Sequence, residues 1–179
     1  MTEGEWSLAA VHNVLADAVP DREMLICGDV RRTFGEVRDR SRGLAAFLQE
    51  RGVGLRRERE GLKRWESGQD AVALVLNNGT EYIEAMLGAF RARGVPFNVN
   101  QHYRRAELES LLKDVGPRGA VYHRRYGPLL AEVVDPADLV LIAEQPGVGL
   151  GTRFAGIPGI DPGYLVAEAL GERDPGGHA

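Results

Sequence analysis

Cysteine is almost absent: Cys27 is the only one in 179 residues. No internal disulfide is possible, which excludes a disulfide-stapled secreted scaffold. Histidine is scarce as well. His12, His102, His123 and His178 stand far apart, without HxxxH or CxxC spacing, so no metal centre is expected. The chain has no excess of positive charge, with 22 Lys and Arg against 26 Asp and Glu and a net charge of −4. That argues against a nucleic-acid partner, which needs a basic face to neutralise phosphates. No apolar run is long enough to span a bilayer as a helix. The start, MTEGEWSLAAVHNVLADAV, is acidic and lacks the basic flank of a signal peptide. A reducing, cytoplasmic setting is expected. The Asn78-Gly79-Thr80 sequon is then a chance match.

Catalytic strings are missing too. A Walker loop needs GxxxxGK followed by Ser or Thr, and none occurs. No GxSxG nucleophile elbow is present. Gly147, Gly149 and Gly151 suggest a dinucleotide fingerprint, but Thr152 stands where another Gly would fall and no helix pattern comes directly after it. A flexible loop is the preferred reading there, with an unrelated nucleotide site as the alternative. Cys27 lies in an apolar strand and is expected to be buried and inert. The pairs Arg104-Arg105 and Arg124-Arg125 sit near helix starts and could meet a phosphate, although solvated surface is the commoner role.

The chain does have an ordinary apolar fraction of 44%, enough for one domain with a core. The spacing predicts a helix over Leu8–Ala18, then strands Met24–Cys27 and Val30–Arg32 around a Gly28-Asp29 turn. Thr33 with Glu36 forms a capping box. Phe34, Val37, Ser41, Leu44, Ala45 and Leu48 then share one helical face, and Gly52 supplies a left-handed end. Residues 55–69 are mixed in charge and read as an exposed loop or short extra helix. Ala71–Leu76 reads as a strand buried on both faces. Asn78 with Glu81 reads as a helix N-cap, Gly79 relieves strain in the short connection, and Gly94 ends the helix. Next come strand Val95–Val99, helix Arg104–Val115 ended by Gly116-Pro117, strand Gly119–Tyr122, helix Tyr126–Val133 and strand Leu139–Ala143. Residues 145–162 form a Gly- and Pro-rich loop, Tyr164–Leu170 a last helix and 171–179 a polar tail. This alternation predicts an α/β fold: a mostly parallel sheet with helices on both faces, one domain over 1–170.

Three stretches in series carry a resemblance. RRTFGEVRDRSRGLAAFLQERGV is similar to the "TY-x-E-L … A-x-x-L-x-x-x-G-V" segment of AMP-forming acyl-CoA synthetases. DAVALVLNNGTEYIEAMLGAFRARGVPFNVN is similar to their "D-x-V-A … N-x-x-e-y … a-G-a-v … N" segment. QHYRRAELESLLKDVGPRGAVYH is similar to their "Y-x-x-x-E-L-x-x-x-l-x-d-x-x-a-x-x-v" segment. The wording around Pro96–Asn100 resembles actinobacterial fatty-acid and steroid side-chain CoA ligases. The resemblance spans about Leu8–Leu170. It departs at 55–69, which is longer and more charged than the usual link, and at His102, where Arg is common.

The resemblance implies the N-terminal subdomain of an adenylate-forming ligase, which activates a fatty or sterol-derived acid with ATP to an acyl-adenylate and passes the acyl group to CoA. ATP, Mg and CoA belong to the complete enzyme, and none is expected to be bound by this chain alone. The family's ATP-phosphate loop, ribose-binding Asp and catalytic Lys have no matching positions here, so the chain alone is expected to be inactive. Asn77-Asn78-Gly79 is then a scaffold corner. Ligands lie beyond the carboxyl ends of parallel strands, so Asn77, Asn78, Asn98, Asn100 and Tyr103 are the candidate substrate-side wall. The expected partners are the remainder of the ligase or a second copy through an exposed interface. The alternative is a non-catalytic α/β module that binds a partner chain.

Overall fold

The computed structural model of the chain describes residues 7–134 and 140–144. The 145–162 loop with Gly147, Gly149 and Gly151, the Tyr164–Leu170 helix and the 171–179 tail lie outside the described residues.

Helix α1 (Leu8–Ala18) begins where the Ser7 hydroxyl accepts the Ala10 N–H at 3.1 Å. Strands β1 (Glu23–Cys27) and β2 (Val30–Thr33) pair antiparallel around Gly28-Asp29. Helix α2 (Phe34–Glu50) carries the predicted capping box. Thr33 Oγ1 accepts the Glu36 N–H at 3.2 Å, and the Thr33 N–H donates to Glu36 Oε2 at 2.8 Å. Val37, Ser41, Leu44, Ala45 and Leu48 are buried along its inner face. Gly52 comes after it with φ +74°, a conformation that a β-carbon disfavours.

Residues 55–69 contain no helix. They form an exposed loop, closed at its base by a Leu55–Gln69 bridge. Asp70 holds that base, accepting the Gly54 N–H at 2.9 Å and the Arg56 Nε–H at 3.0 Å. Trp65 is 80% exposed, as a solvated loop predicts.

Strand β3 (Ala71–Val75), helix α3 (Thr80–Arg91), strand β4 (Val95–Asn98), helix α4 (Arg105–Val115), strand β5 (Gly119–His123), a 3-10 turn at Arg124–Tyr126, helix α5 (Gly127–Ala131) and strand β6 (Val140–Glu144) complete the described chain. The four strands form a parallel sheet in the order β4-β3-β5-β6. Side chains alternate across the pleat. Val72, Leu74, Leu76 and Val121 meet Leu44 and Leu48 of α2 and Ala85 and Ala89 of α3 on one face. Ala73, Val75, Ala120 and Tyr122 meet Leu108 and Leu112 of α4 and Leu130 of α5 on the other. The predicted helices on both faces are therefore present.

Three local readings are corrected. Cys27 is exposed, because the β1–β2 hairpin is a two-stranded ribbon with little packed over its outer residues. The N-cap of α3 is Gly79 and not Asn78: the chain stays extended one residue further, out of reach of an Asn78 cap. Gly79 has φ −173°, which any residue adopts, so it relieves no strain. Gly94 ends α3 as expected, its N–H donating to the Ala89 carbonyl at 2.8 Å, while the left-handed residue before it is Arg93, at φ 61°. Gly94 also serves close approach, since a β-carbon there would lie 3.2 Å from the Asp70 carbonyl oxygen and 3.3 Å from Val72 Cγ2.

Helix α1 is inverted relative to simple amphipathicity. Ala9, His12 and Ala16 face inward, while Leu8 and Val14 are 60% and 64% exposed. Small inward residues allow close approach to α2 and α3. His12 fills the remaining space, stacking on Phe34 with ring centroids 5.9 Å apart.

Candidate functional site

The chain leaves β3 through α3 toward β4 on one side of the sheet. It leaves β5 through α5 toward β6 on the other. Adjacent strands whose connections diverge in this way open a crevice beyond their carboxyl ends. Asn77 stands there, half-buried, just past β3. From the end of β5, the Arg125 guanidinium donates to Asn77 Oδ1 at 2.5 Å, and the Tyr126 hydroxyl donates to the same oxygen at 3.0 Å. Arg125 also bonds the Tyr126 hydroxyl and lies 4.6 Å from its ring centroid. The Asn77 oxygen is thereby occupied, which leaves its NH₂ group and the remaining Arg125 N–H groups as donors.

His123 completes this group. Its Nδ1 accepts the Arg125 backbone N–H at 3.2 Å, which assigns the ring proton of the neutral form to Nε2. Its ring meets Tyr126 edge-on at 6.3 Å. Burial and the nearby Arg125 charge hold its pKa below the ordinary 6.5, against a smaller opposing pull from Glu81. Replacing Arg125 by Gln is therefore expected to raise the His123 pKa toward 6.5, read from imidazole proton shifts against pH. The linkage has a definite sign. Because the folded pKa is depressed, the His123 contribution to stability is complete above pH 6.5 and is lost as pH falls through the folded value. An unmoved titration in Arg125→Gln would remove Arg125 as its cause.

The other predicted wall residues are placed differently. Asn78 is exposed and lines a shallow, mostly apolar cleft of about 380 Å³ with Leu25, Ile26 and Tyr82. Its carbonyl oxygen lies 4.0 Å from the Cys27 sulfur. Asn98, at the end of β4, takes the Tyr82 hydroxyl on Oδ1. Asn100 stabilises its own turn, accepting the His102 N–H at 3.0 Å. Tyr103 packs against the core under α4. Asn77 alone of the five is joined to the β5 residues. Arg125, Tyr126 and His123 were not among the sequence candidates for this wall, although the Arg124-Arg125 pair was visible as a basic element near a helix start.

Among the described residues, no group of three His, Cys, Asp or Glu side chains converges on a point that could hold a metal ion. Amide, guanidinium and phenol groups at a strand edge can bind and orient an acyl or phosphate group. They do not form a nucleophile–base pair.

Comparison with known proteins identifies the family and the fold. Residues 14–151 match the family described as AMP-binding enzyme. The chain is 42% identical over 150 residues to the medium-chain acyl-CoA ligase Mig of Mycobacterium avium, covering 82% of this chain and 27% of that protein. It is 32% identical over 160 residues to a medium/long-chain-fatty-acid and 3-oxocholest-4-en-26-oate CoA ligase of Mycobacterium marinum, covering 88% and 26%. The chain thus spans about a quarter of the length of the curated relatives it matches. Among solved structures, a benzoate CoA ligase from Burkholderia xenovorans superposes with a TM-score of 0.69 at 21% identity, over 84% of this chain and 28% of the other. The N-terminal domain of FACL13 from Mycobacterium tuberculosis gives 0.64 at 18% identity, over 78% and 34%. At those identities the structural likeness speaks for the fold. No described helix is long and apolar enough to cross a membrane.

Proposed function

Because the chain belongs to the AMP-binding enzyme family, we propose that it is the leading part of a cytoplasmic ligase for medium- or long-chain fatty acids or sterol-derived acids. The parent reaction joins the carboxylate to ATP, releasing pyrophosphate and leaving an acyl-adenylate. CoA then takes the acyl group through its thiol and AMP leaves. The observation that carries this reading is the 42% identity to a medium-chain acyl-CoA ligase over most of the chain. In this reading the described residues supply scaffold and one wall of the substrate side. Asn77, Asn78, Asn98, Asn100 and Tyr103 contribute to that wall, with Arg125 and Tyr126 orienting Asn77. The absence of a nucleophile–base pair at the described edge suits a binding wall. ATP, magnesium and CoA are held by other parts of the ligase.

The test is acid-dependent ATP–pyrophosphate exchange, run on two proteins. The 179-residue chain alone is expected to give no exchange with any acid of a fatty and sterol-derived panel. A chimera carrying this chain in place of the matching segment of the Mycobacterium avium relative is expected to give exchange with medium-chain acids. A folded but silent chimera would sink the ligase reading. Exchange by the chain alone would overturn its role as scaffold.

A further inference from the structure

A cleft of about 700 Å³ opens between α1, α2 and α3, away from the strand-end crevice. Helix α3 starts at that crevice and ends at this cleft, so about 16 Å of helix separates them. Arg42, Arg91 and Arg93 line it together with Asn13, Gln49 and Gln69, and no acidic side chain does so among the described residues. On a chain of net charge −4, that local composition is not a consequence of bulk charge.

The arginines differ in how they are compensated. Arg93 is balanced by Glu58 at 2.9 Å. Arg38, just behind the cleft, is balanced by Asp17 and Asp39, each at 2.9 Å. Arg91 is half-buried and among the described residues meets only neutral acceptors: Ser41 Oγ at 2.8 Å, Asn13 Oδ1 at 2.6 Å and His12 Nδ1 at 2.8 Å. Burial and the charges of Arg42 and Arg38 lower its proton affinity, with Asp39 acting weakly the other way. Arg42 is exposed and has no carboxylate within ion-pair distance among the described residues. His12 adds no charge, because burial and then Arg91, Arg38 and Arg42 hold its pKa below 6.5. The carboxyl end of α3 offers Arg91 a partial negative charge, but leaves Arg42 unaccounted for.

Three of the five N–H donors of Arg91 are used, which leaves two. Asn13 has committed its oxygen to Arg91, so its NH₂ group can only donate elsewhere. We infer that this cleft binds a phosphate group, held by Arg42 and Arg91 with the amides of Asn13 and Gln49 as further donors. Two guanidinium groups with no carboxylate in ion-pair distance among the described residues, set beside amide donors, exceed what a monovalent carboxylate can accept, and they match the several oxygens of a phosphate. The inference stands apart from the proposed ligase reaction and does not need it.

The test is a ¹H–¹⁵N NMR titration of the 179-residue chain with inorganic phosphate and with ribose 5-phosphate. Chloride and acetate at matched ionic strength are the controls. Saturable shifts at Asn13, Arg42 and Arg91 are expected, and Arg42→Gln should weaken binding about tenfold while leaving the fold intact. Arg91→Lys, which keeps the charge but loses the fork, should weaken it as well. Saturation by inorganic phosphate alone would assign the free ion, and saturation by both a phosphate monoester. Shifts no larger than those with chloride, or equal affinity in Arg42→Gln, would overturn the site. So would phosphate binding that appears only after Glu3→Gln and Glu5→Gln, since the chain's own acidic start would then be the natural occupant.

Discussion

Replacing Glu84 by alanine should destabilise the protein by about 3–5 kcal/mol, a large part of the 5–15 kcal/mol or so typical of a domain. Glu84 projects from α3 with its side chain fully buried. Its Oε1 takes the Arg40 Nε–H of α2 at 2.7 Å, and the Arg32 Nε of β2 lies 3.6 Å away. Those guanidinium groups are only 14% and 21% exposed. Without Glu84 they remain largely desolvated and lose their counterion, which costs more than the pair gained by forming. Burial pushes the Glu84 carboxyl pKa up, with the arginines opposing. The sign matters: a raised folded pKa makes this group's contribution complete below its unfolded pKa and lost as pH rises through the folded one. Glu84 is therefore not a source of acid unfolding. Glu84→Gln, which keeps an acceptor oxygen for Arg40 but also removes the counterion, should cost less than alanine, about 2 kcal/mol. Urea unfolding midpoints of the two variants check this. Equal losses in alanine and glutamine would mean that the charge, and not the acceptor, holds β2, α2 and α3 together.

Leu44→Ala should cost about 2–5 kcal/mol. Leu44 is fully buried where α2 crosses α3, within the cluster formed with β3. The crossing is close because Gly88 faces it. A β-carbon on Gly88 would lie 2.6 Å from Leu44 Cδ2 and 2.9 Å from its Cγ. Two effects oppose each other in Gly88→Ala. Helix propensity favours alanine by about 1 kcal/mol, while overpacking costs about 1–3 kcal/mol. Leu44 is fully buried and its Cβ would also lie only 3.1 Å from the new carbon, so overpacking should prevail and Gly88→Ala should destabilise. The double variant, Leu44→Ala with Gly88→Ala, should lose less than the sum of the two single losses, because the added methyl enters the space that leucine vacated. Thermal or urea unfolding of all four proteins gives the coupling directly. Strict additivity would mean that the two residues do not share that space.

The candidate site was legible only in part. Asn77 could be placed at a strand end from the apolar run before it, and the carboxyl-end rule then made it a candidate. Its partners Arg125 and Tyr126 come from 48 and 49 residues further along. The Arg124-Arg125 pair is a local basic signal, but nothing local joins it to Asn77, because the contact depends on β5 lying beside β3, with β4 displaced to the other edge. Asn100 and Tyr103 follow from the same rule, and only the structure shows that one also stabilises its own turn and the other also packs on the core. Polar type near a strand end does not fix where a side chain points.

The sequence by itself determined the elements and their order. The Thr33–Glu36 box, the left-handed ends at Gly52 and Gly116, the α2 face and the apolar β3 run depend on residues within a turn or two of each other. Backbone hydrogen bonding and steric preference act at that range. It also carried enough of the family's motifs in series to indicate the AMP-binding enzyme family. Only the tertiary structure decided which side of α1 turns inward, that Cys27 faces solvent, that Glu84 is buried between two arginines, and that Arg42 and Arg91 share a cleft without a carboxylate among its described residues. Burial and charge compensation are properties of everything packed around a group. Most of those neighbours are distant in the chain.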